Sequence, residues 1–117
     1  MVIIRQMKRF EAANALNFDE RTIHSLYRNS RLNRVEGGIG NTVSGFLIDN
    51  NHENGLEEHF ITDNALIIVR NHKTDKFITV LVARPGQIKR YYKALGRIAP
   101  KWLVEKAYSN YKNHLNY

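Results

Sequence analysis

Two apolar runs near the middle of the chain constrain its fold more than any other feature. Ala65–Arg70 and Phe77–Ala83 are rich in β-branched residues, and the six residues between them are polar. Such residues favour strands, and a short polar connection between two such runs is typical of an antiparallel hairpin. Both faces of Phe77–Ala83 are apolar, which predicts an internal strand covered on both sides. The sequence therefore predicts an antiparallel sheet with this hairpin at its centre.

Two further strands are predicted upstream of the hairpin. Gly45–Ile48 is short and apolar, and Glu57–Thr62 alternates loosely between polar and apolar residues. The glycines in the segment 36–41 predict a loop just before them, because three glycines within four residues weaken any regular element. The sheet is thus expected over residues 44–84, with roughly four strands.

Helical patterns flank the predicted sheet. Apolar residues recur at helical spacing from Ile3 to Ala13, and Asp19 is a candidate N-cap for a second helix over 17–31. After Gly86 the helical period returns until Gly96, and Pro100 suits the first turn of a last helix. That last helix is expected to have an apolar stripe of Leu103 or Val104, Ala107, Tyr108, Tyr111 and Leu115.

These elements predict one α+β domain over residues 1–117. It would consist of two N-terminal helices in a helical front at 1–34, a roughly four-stranded antiparallel sheet at 44–84 and basic C-terminal helices at 86–116. A chain of 117 residues is long enough for one core and too short for two. Cysteine is absent, which excludes disulfides, thiolate zinc sites and a cysteine nucleophile. The opening residues do not resemble a signal peptide, and no apolar run is long enough to span a bilayer.

Charge is distributed unevenly along the chain. Residues 1–34 hold seven Lys/Arg and three Asp/Glu, whereas residues 35–65 hold six acids and no Lys or Arg. Residues 66–117 hold eleven Lys/Arg and two acids. The C-terminal block therefore favours a polyanionic partner, although a basic helix face that is merely solvated remains the alternative.

Histidine is the natural proton carrier at neutral pH, and the chain has five. His24, His72 and His114 are expected at the surface, whereas His52 and His59 lie in or beside predicted strands. A divalent metal site is a weaker alternative, because no ligand spacing recurs among its candidate residues. These candidates are Glu53, Glu57, Glu58 and Asp63 with His52 or His59. We expect no metal and no other cofactor.

A cluster of cationic and hydroxyl-bearing residues follows the second strand of the hairpin. Arg84 ends that strand, and the next helix begins one turn later, so its N-terminal N–H groups and its cations could bind a phosphate together. Tyrosines at helical spacing are more often core residues than platforms for bases. The cluster comprises Thr79, Arg84, Gln87, Lys89, Arg90, Tyr91, Tyr92 and Lys93.

The order of elements and the segments HF, FITV and ARPGQIKRYY resemble small ribonuclease toxins of polymorphic-toxin and prophage systems. These toxins share the barnase–EndoU–colicin–RelE (BECR) fold, and the resemblance covers about residues 44–92. It implies metal-independent cleavage of RNA, in which a 2′-oxygen attacks its own phosphodiester. The implied catalytic residues are His59 as proton carrier, Thr79 as phosphate-orienting hydroxyl, and Arg84 and Arg90 as stabilising cations.

The resemblance also implies RNA contacts and partners. Gln87, Lys89, Tyr91 and Lys93 would contact RNA, either tRNA or another single-stranded RNA. An acidic immunity or antitoxin protein is a further implied partner, and no membrane partner is expected. The implied place of action is the cytoplasm, reached in some toxins by delivery into a target cell.

Two alternatives to the enzyme remain open at this point. One is a non-catalytic nucleic-acid-binding or phage accessory protein that uses the same basic face, and the other is a protein-binding module. The enzyme requires His59, Thr79, Arg84 and Arg90 to lie within a few ångströms of one another in an open cleft. Burial of His59 against apolar side chains would leave the enzyme without its proton carrier.

Overall fold

The computed structural model describes residues 3–7, 16, 18, 38–49 and 55–115, with side chains as far as Lys112. This part of the chain forms five strands followed by two helices, so the class is α+β. The strands are β1 (Ile3–Gln6), β2 (Thr42–Asp49), β3 (Leu56–Thr62), β4 (Leu66–Asn71) and β5 (Phe77–Val82). The helices are α1 (Pro85–Ala94) and α2 (Lys101–Leu115).

The five strands form one antiparallel sheet in the order β1-β2-β3-β4-β5. One row of the register crosses four strands, because Phe46 of β2 lies opposite His59, His59 opposite Val69, and Val69 opposite Thr79. Residues directly opposite in neighbouring strands point to the same face. The sheet therefore aligns Phe46, His59, Val69 and Thr79 on one face.

The predicted arrangement of two N-terminal helices and four strands is wrong. Ile3–Gln6 is a strand that pairs with β2, with Ile4 opposite Ile48. A few apolar residues fit a helix or a strand equally well, and here pairing with the free edge of β2 decides between them. The second predicted helix, over 17–31, lies outside the described residues except for Phe18.

The hairpin itself is confirmed as β4 and β5, but its position in the sheet differs from the prediction. Among the described strands, β5 is the last of the sheet and not an internal one, and its Ile78 and Leu81 are 46% and 38% exposed. The strand covered on both sides is β4, in which Leu66 through Arg70 are all buried. Apolar residues on both faces of a strand thus did not identify the centre of the sheet.

A bulge in β5 also alters which residues share a face. The register slips between Val69, opposite Thr79, and Arg70, opposite Phe77, so that Ile78 is the extra residue. Strict alternation would place Thr79 with both Phe77 and Leu81. Instead Phe77 packs on the other side of the sheet, where its ring stacks on Phe18 with 4.4 Å between centroids.

Each face of the sheet has its own core. The two helices cover one face, where Ile88 of α1 and Leu103 and Ala107 of α2 are fully buried. The opposite face buries a second group, which comprises Leu16, Phe60, Leu66, Ile68 and Val80. None of the described helices is long and apolar enough to cross a membrane.

The turn between β3 and β4 fixes the second helix and the segment before β2. The side-chain amide of the buried Asn110 donates to the carbonyl of Asn64 at 2.6 Å. On the other side of the turn, the Asn41 N–H donates to Asp63 Oδ1 at 2.9 Å. A Cβ on Gly40 would collide with that same carboxylate, and its φ of +83° also favours glycine.

Candidate functional site

The helical layer carries most of the positive charge of the described chain. Residues 84–112 hold eight Lys/Arg and a single acid, Glu105. Seven of the eight cations are exposed and form what we call the basic helical surface: Arg84, Lys89, Arg90, Lys93, Arg97, Lys101 and Lys112. Glu105 lies 3.9 Å from the Lys101 ammonium, and both side chains are mostly in solvent. Such an exposed pair neutralises little of the surface charge.

Helical periodicity places these cations on the solvent side of α1. Lys89, Arg90 and Lys93 fall within one stripe, whereas Ile88 and Tyr92 face the sheet. Gln87, a predicted RNA contact, also takes part in the helix start, because its Oε1 accepts a hydrogen bond from the Arg84 backbone N–H at 2.8 Å. That bond caps the first turn of the helix.

Tyr91 and Tyr92 are half-buried and pack on Phe46 of β2. Their ring centroids lie 5.0 Å and 5.6 Å from that of Phe46. The Tyr92 hydroxyl also contacts the Ser44 hydroxyl. These contacts fix α1 on the sheet, so the two tyrosines serve the core in this structure.

His59 lies beneath α1 in a short chain of polar side chains. Its Nδ1 is 2.5 Å from the Tyr91 hydroxyl, and its Nε2 is 3.2 Å from Glu57 Oε1. The imidazole side chain is 14% exposed and that of Glu57 is 21% exposed. We call Glu57, His59 and Tyr91 the polar chain. It joins β3 to α1 at the edge of the apolar core.

Burial sets the protonation of the polar chain. It lowers the pKa of His59, and the Glu57 hydrogen bond and charge oppose that shift only in part. Burial raises the pKa of Tyr91 to about 12, with Glu57 adding to the shift and Arg90 opposing it. At neutral pH the imidazole is therefore neutral and the phenol protonated. In the matching tautomer, Tyr91 donates to Nδ1 and Nε2–H donates to the Glu57 carboxylate.

The structure does not bring all three of the other predicted catalytic residues, Thr79, Arg84 and Arg90, to His59. His59 and Thr79 share a face of the sheet, but Val69 of β4 lies between them. Their backbones are therefore separated by two strand spacings, about 10 Å. The Arg84 guanidinium lies 5.6 Å from the ring centroid of Tyr111 in α2. Arg90 directly precedes Tyr91 in α1. It is the predicted cation whose charge acts on the polar chain, through Tyr91.

Sequence reasoning missed two exposed aromatic residues on α2. Trp102 is 50% exposed and Tyr108 is 61% exposed. Tyr108 was predicted on the apolar stripe, which is wrong. Tyr108 follows Lys101 by seven residues and precedes Lys112 by four, so helical spacing puts it on the same side of α2 as these two lysines. That spacing was the signal in the sequence that could have identified Tyr108 as exposed.

Among the described residues, no group of three or more His, Asp or Glu side chains is placed to hold a metal ion. Three candidates from the sequence, His24, His52 and Glu53, lie outside that part of the chain, and the side chain of His114 is likewise outside it.

No protein-family model, no curated protein and no solved structure matches this chain. The resemblance to the BECR-fold ribonuclease toxins therefore stays a prediction.

Proposed function

We propose that this protein binds RNA through its basic helical surface. The observation that supports this most is the accumulation of seven exposed cations and one acid on the layer formed by α1 and α2. Clustered Lys and Arg on one side of a domain attract a phosphate backbone, and each neutralised phosphate releases bound counterions.

Two acids of the described part of the chain, Glu57 and Glu58, do not offset this surface. Glu58 is buried in the sheet, where its Oε1 accepts a hydrogen bond from Arg70 Nε at 2.6 Å. Glu57 is held in the polar chain beneath α1. Both carboxylates lie within the strands, so they leave the outward side of the helices basic.

Reversing two charges of α1 should weaken RNA binding at least tenfold. In Lys89→Glu/Lys93→Glu, two exposed cations of one stripe become anions that repel the phosphates. The measurement is fluorescence anisotropy of a labelled single-stranded RNA, titrated at several salt concentrations. For the unaltered protein, log Kd should rise with log[salt] by roughly 0.7 per phosphate contacted.

The matched control is Lys73→Glu/Lys76→Glu. These two lysines are equally exposed but lie around the turn between β4 and β5, away from the helices. The control changes the net charge by the same amount and should affect RNA affinity much less. Equal losses in the two variants would show that only net charge matters, and a salt-independent affinity would exclude a phosphate-binding surface.

A second candidate function is metal-independent cleavage of RNA, and the polar chain is the observation that favours it. Catalysis would use the other tautomer, in which Nδ1–H donates to the Tyr91 hydroxyl and a 2′-hydroxyl of the RNA takes the place of the Glu57 carboxylate at Nε2. That Nε2 would accept the 2′-hydroxyl proton while the 2′-oxygen–phosphorus bond forms and the bond to the 5′-oxygen breaks, and the leaving 5′-oxygen would take its proton from water. Arg90, whose charge acts on Tyr91, is the predicted cation that would stabilise the phosphorane.

Under this second function, His59→Gln should lower RNA cleavage measured in EDTA by roughly 10²-fold or more. RNA affinity should stay within about twofold, because the His59 side chain is only 14% exposed and the seven exposed cations would carry most of the phosphate binding. Tyr91→Phe should have a smaller effect, since it removes only the partner of Nδ1. The readout is the cyclic-phosphate product from a labelled RNA.

His72→Gln is the control for cleavage. His72 lies in the turn between β4 and β5, where its side chain is 45% exposed. The His72→Gln variant should cleave RNA as fast as the parent protein does. Undiminished cleavage by His59→Gln would show that His59 is not the proton carrier. If the parent protein binds RNA but does not cleave it, only the binding function stands.

A further inference from the structure

We infer that the basic helical surface selects unpaired nucleotides by stacking their bases on Trp102 and Tyr108 of α2. This inference rests on the proposed RNA binding and names the form of nucleic acid that it prefers. It uses two side chains that the core does not need, since Leu103 and Ala107 bury the opposite side of the same helix.

The two rings flank a polar stripe. With about 100° per residue, positions 102 and 108 lie some 120° apart around the helix axis and about 9 Å apart along it. Between them the exposed positions of α2 are polar or charged: Lys101, Glu105, Ser109 and Lys112. Lys106 lies one turn from Trp102 and Lys112 one turn from Tyr108, and the separation of the two rings leaves room for two different bases.

Two large aromatic rings are exposed on one helix, and a ligand that stacks on them would cover them. A tryptophan half in solvent and a tyrosine further out leave much apolar surface in water. Lys101 and Lys112 next to them disfavour a purely apolar partner, because docking one would strip water from the ammonium groups. A flat base carried on a phosphate backbone matches both the rings and the cations.

Base pairing decides access to the rings. In a duplex each base is stacked between its neighbours, so the rigid duplex presents phosphates to the surface but no free base face. In a single strand the bases can turn outward and stack on aromatic side chains, and each such contact strengthens binding substantially. We therefore expect Trp102 and Tyr108 to contribute to binding of single strands alone.

The experiment uses Trp102 as its own probe, since it is the one tryptophan in the chain. A single-stranded 12-nucleotide RNA, a duplex of that RNA and inorganic polyphosphate are each titrated into the whole protein. The single strand should quench tryptophan fluorescence, whereas the duplex and polyphosphate should leave it nearly unchanged. Trp102→Ala should weaken binding of the single strand about five- to a hundredfold and leave the affinities for the other two within twofold.

Trp102→Phe and Ile98→Ala are the matched variants. Phenylalanine keeps a ring for stacking and should retain most of the affinity, while Ile98, which is 94% exposed, tests the loss of a large apolar side chain alone. Tyr108→Ala should act as Trp102→Ala does. Circular dichroism of each variant establishes that α2 is intact.

The outcomes separate this inference from the proposed function. If Lys89→Glu/Lys93→Glu weakens RNA binding but Trp102→Ala has no effect, or an equal effect on duplex and single strand, stacking is overturned and RNA binding stands. If the charge reversal has no effect, RNA binding through this surface fails as well. Quenching by anionic lipid vesicles without quenching by RNA would likewise overturn the inference.

Discussion

Arg70→Met should lower the free energy of unfolding by about 3–5 kcal/mol. Arg70 and Glu58 form an ion pair inside the sheet, with 2.6 Å between Nε and Oε1 and side chains only 10% and 6% exposed. Methionine keeps the volume but removes the charge, so the Glu58 carboxylate stays in a low-dielectric site with His72, at 3.2 Å, as its remaining described partner. The Arg70 guanidinium also lies 5.3 Å from the ring centroid of Phe60, and that attraction is lost too.

The measurement is urea unfolding at neutral pH, followed by circular dichroism. Lys101→Met is the control, because it removes one partner of the exposed Lys101–Glu105 pair and should cost less than about 0.5 kcal/mol. Adding Glu58→Gln to Arg70→Met should recover part of the loss, since it removes the uncompensated charge. A loss below about 1 kcal/mol in Arg70→Met would show that the carboxylate is solvated despite its burial.

Phe46→Ala should also destabilise the fold, by about 3–5 kcal/mol. Phe46 is 2% exposed and packs against both Tyr91 and Tyr92, so it is the main contact by which β2 holds α1. Removing the ring leaves a cavity between the sheet and the helix. It also takes away one wall of the site in which Tyr91 meets His59.

Leu81→Ala is the control for Phe46→Ala. Leu81 is 38% exposed on the edge strand β5, so its truncation should cost less than about 1 kcal/mol. Both variants are compared by thermal and urea unfolding. If Phe46→Ala proves as stable as Leu81→Ala, the packing of α1 on β2 is not what holds the helical layer to the sheet.

Stability and binding should be separable in this molecule. The contacts of Arg70 and Phe46 lie within the sheet and beneath α1, whereas the cations and exposed rings lie on the outside of the helices. Surface changes such as Lys89→Glu should therefore alter binding at nearly constant stability. A variant that loses RNA binding only because it unfolds would reveal itself in the same unfolding measurements.

Local signals in the sequence were sufficient for the C-terminal half. Pro85 and Gly96 mark the limits of α1, Pro100 precedes α2, and the two β-branched runs form a hairpin. Each of these signals acts over a few residues, through fixed φ angles, helix periodicity or side-chain branching. The concentration of cations from residue 84 onward was equally visible in the sequence, and helical periodicity places these cations on the solvent side of the helices.

Only the tertiary structure decided the rest. Whether Ile3–Gln6 is helix or strand depends on the free edge of β2, and whether β5 is internal or at the edge depends on which strand lies beside it. The polar chain likewise joins β3 to α1 across 32 residues of sequence, from His59 to Tyr91. Such contacts are long-range, so no local pattern encodes them. The sequence alone determined the two C-terminal helices, the hairpin and the sign of the surface, and packing determined which side chains meet.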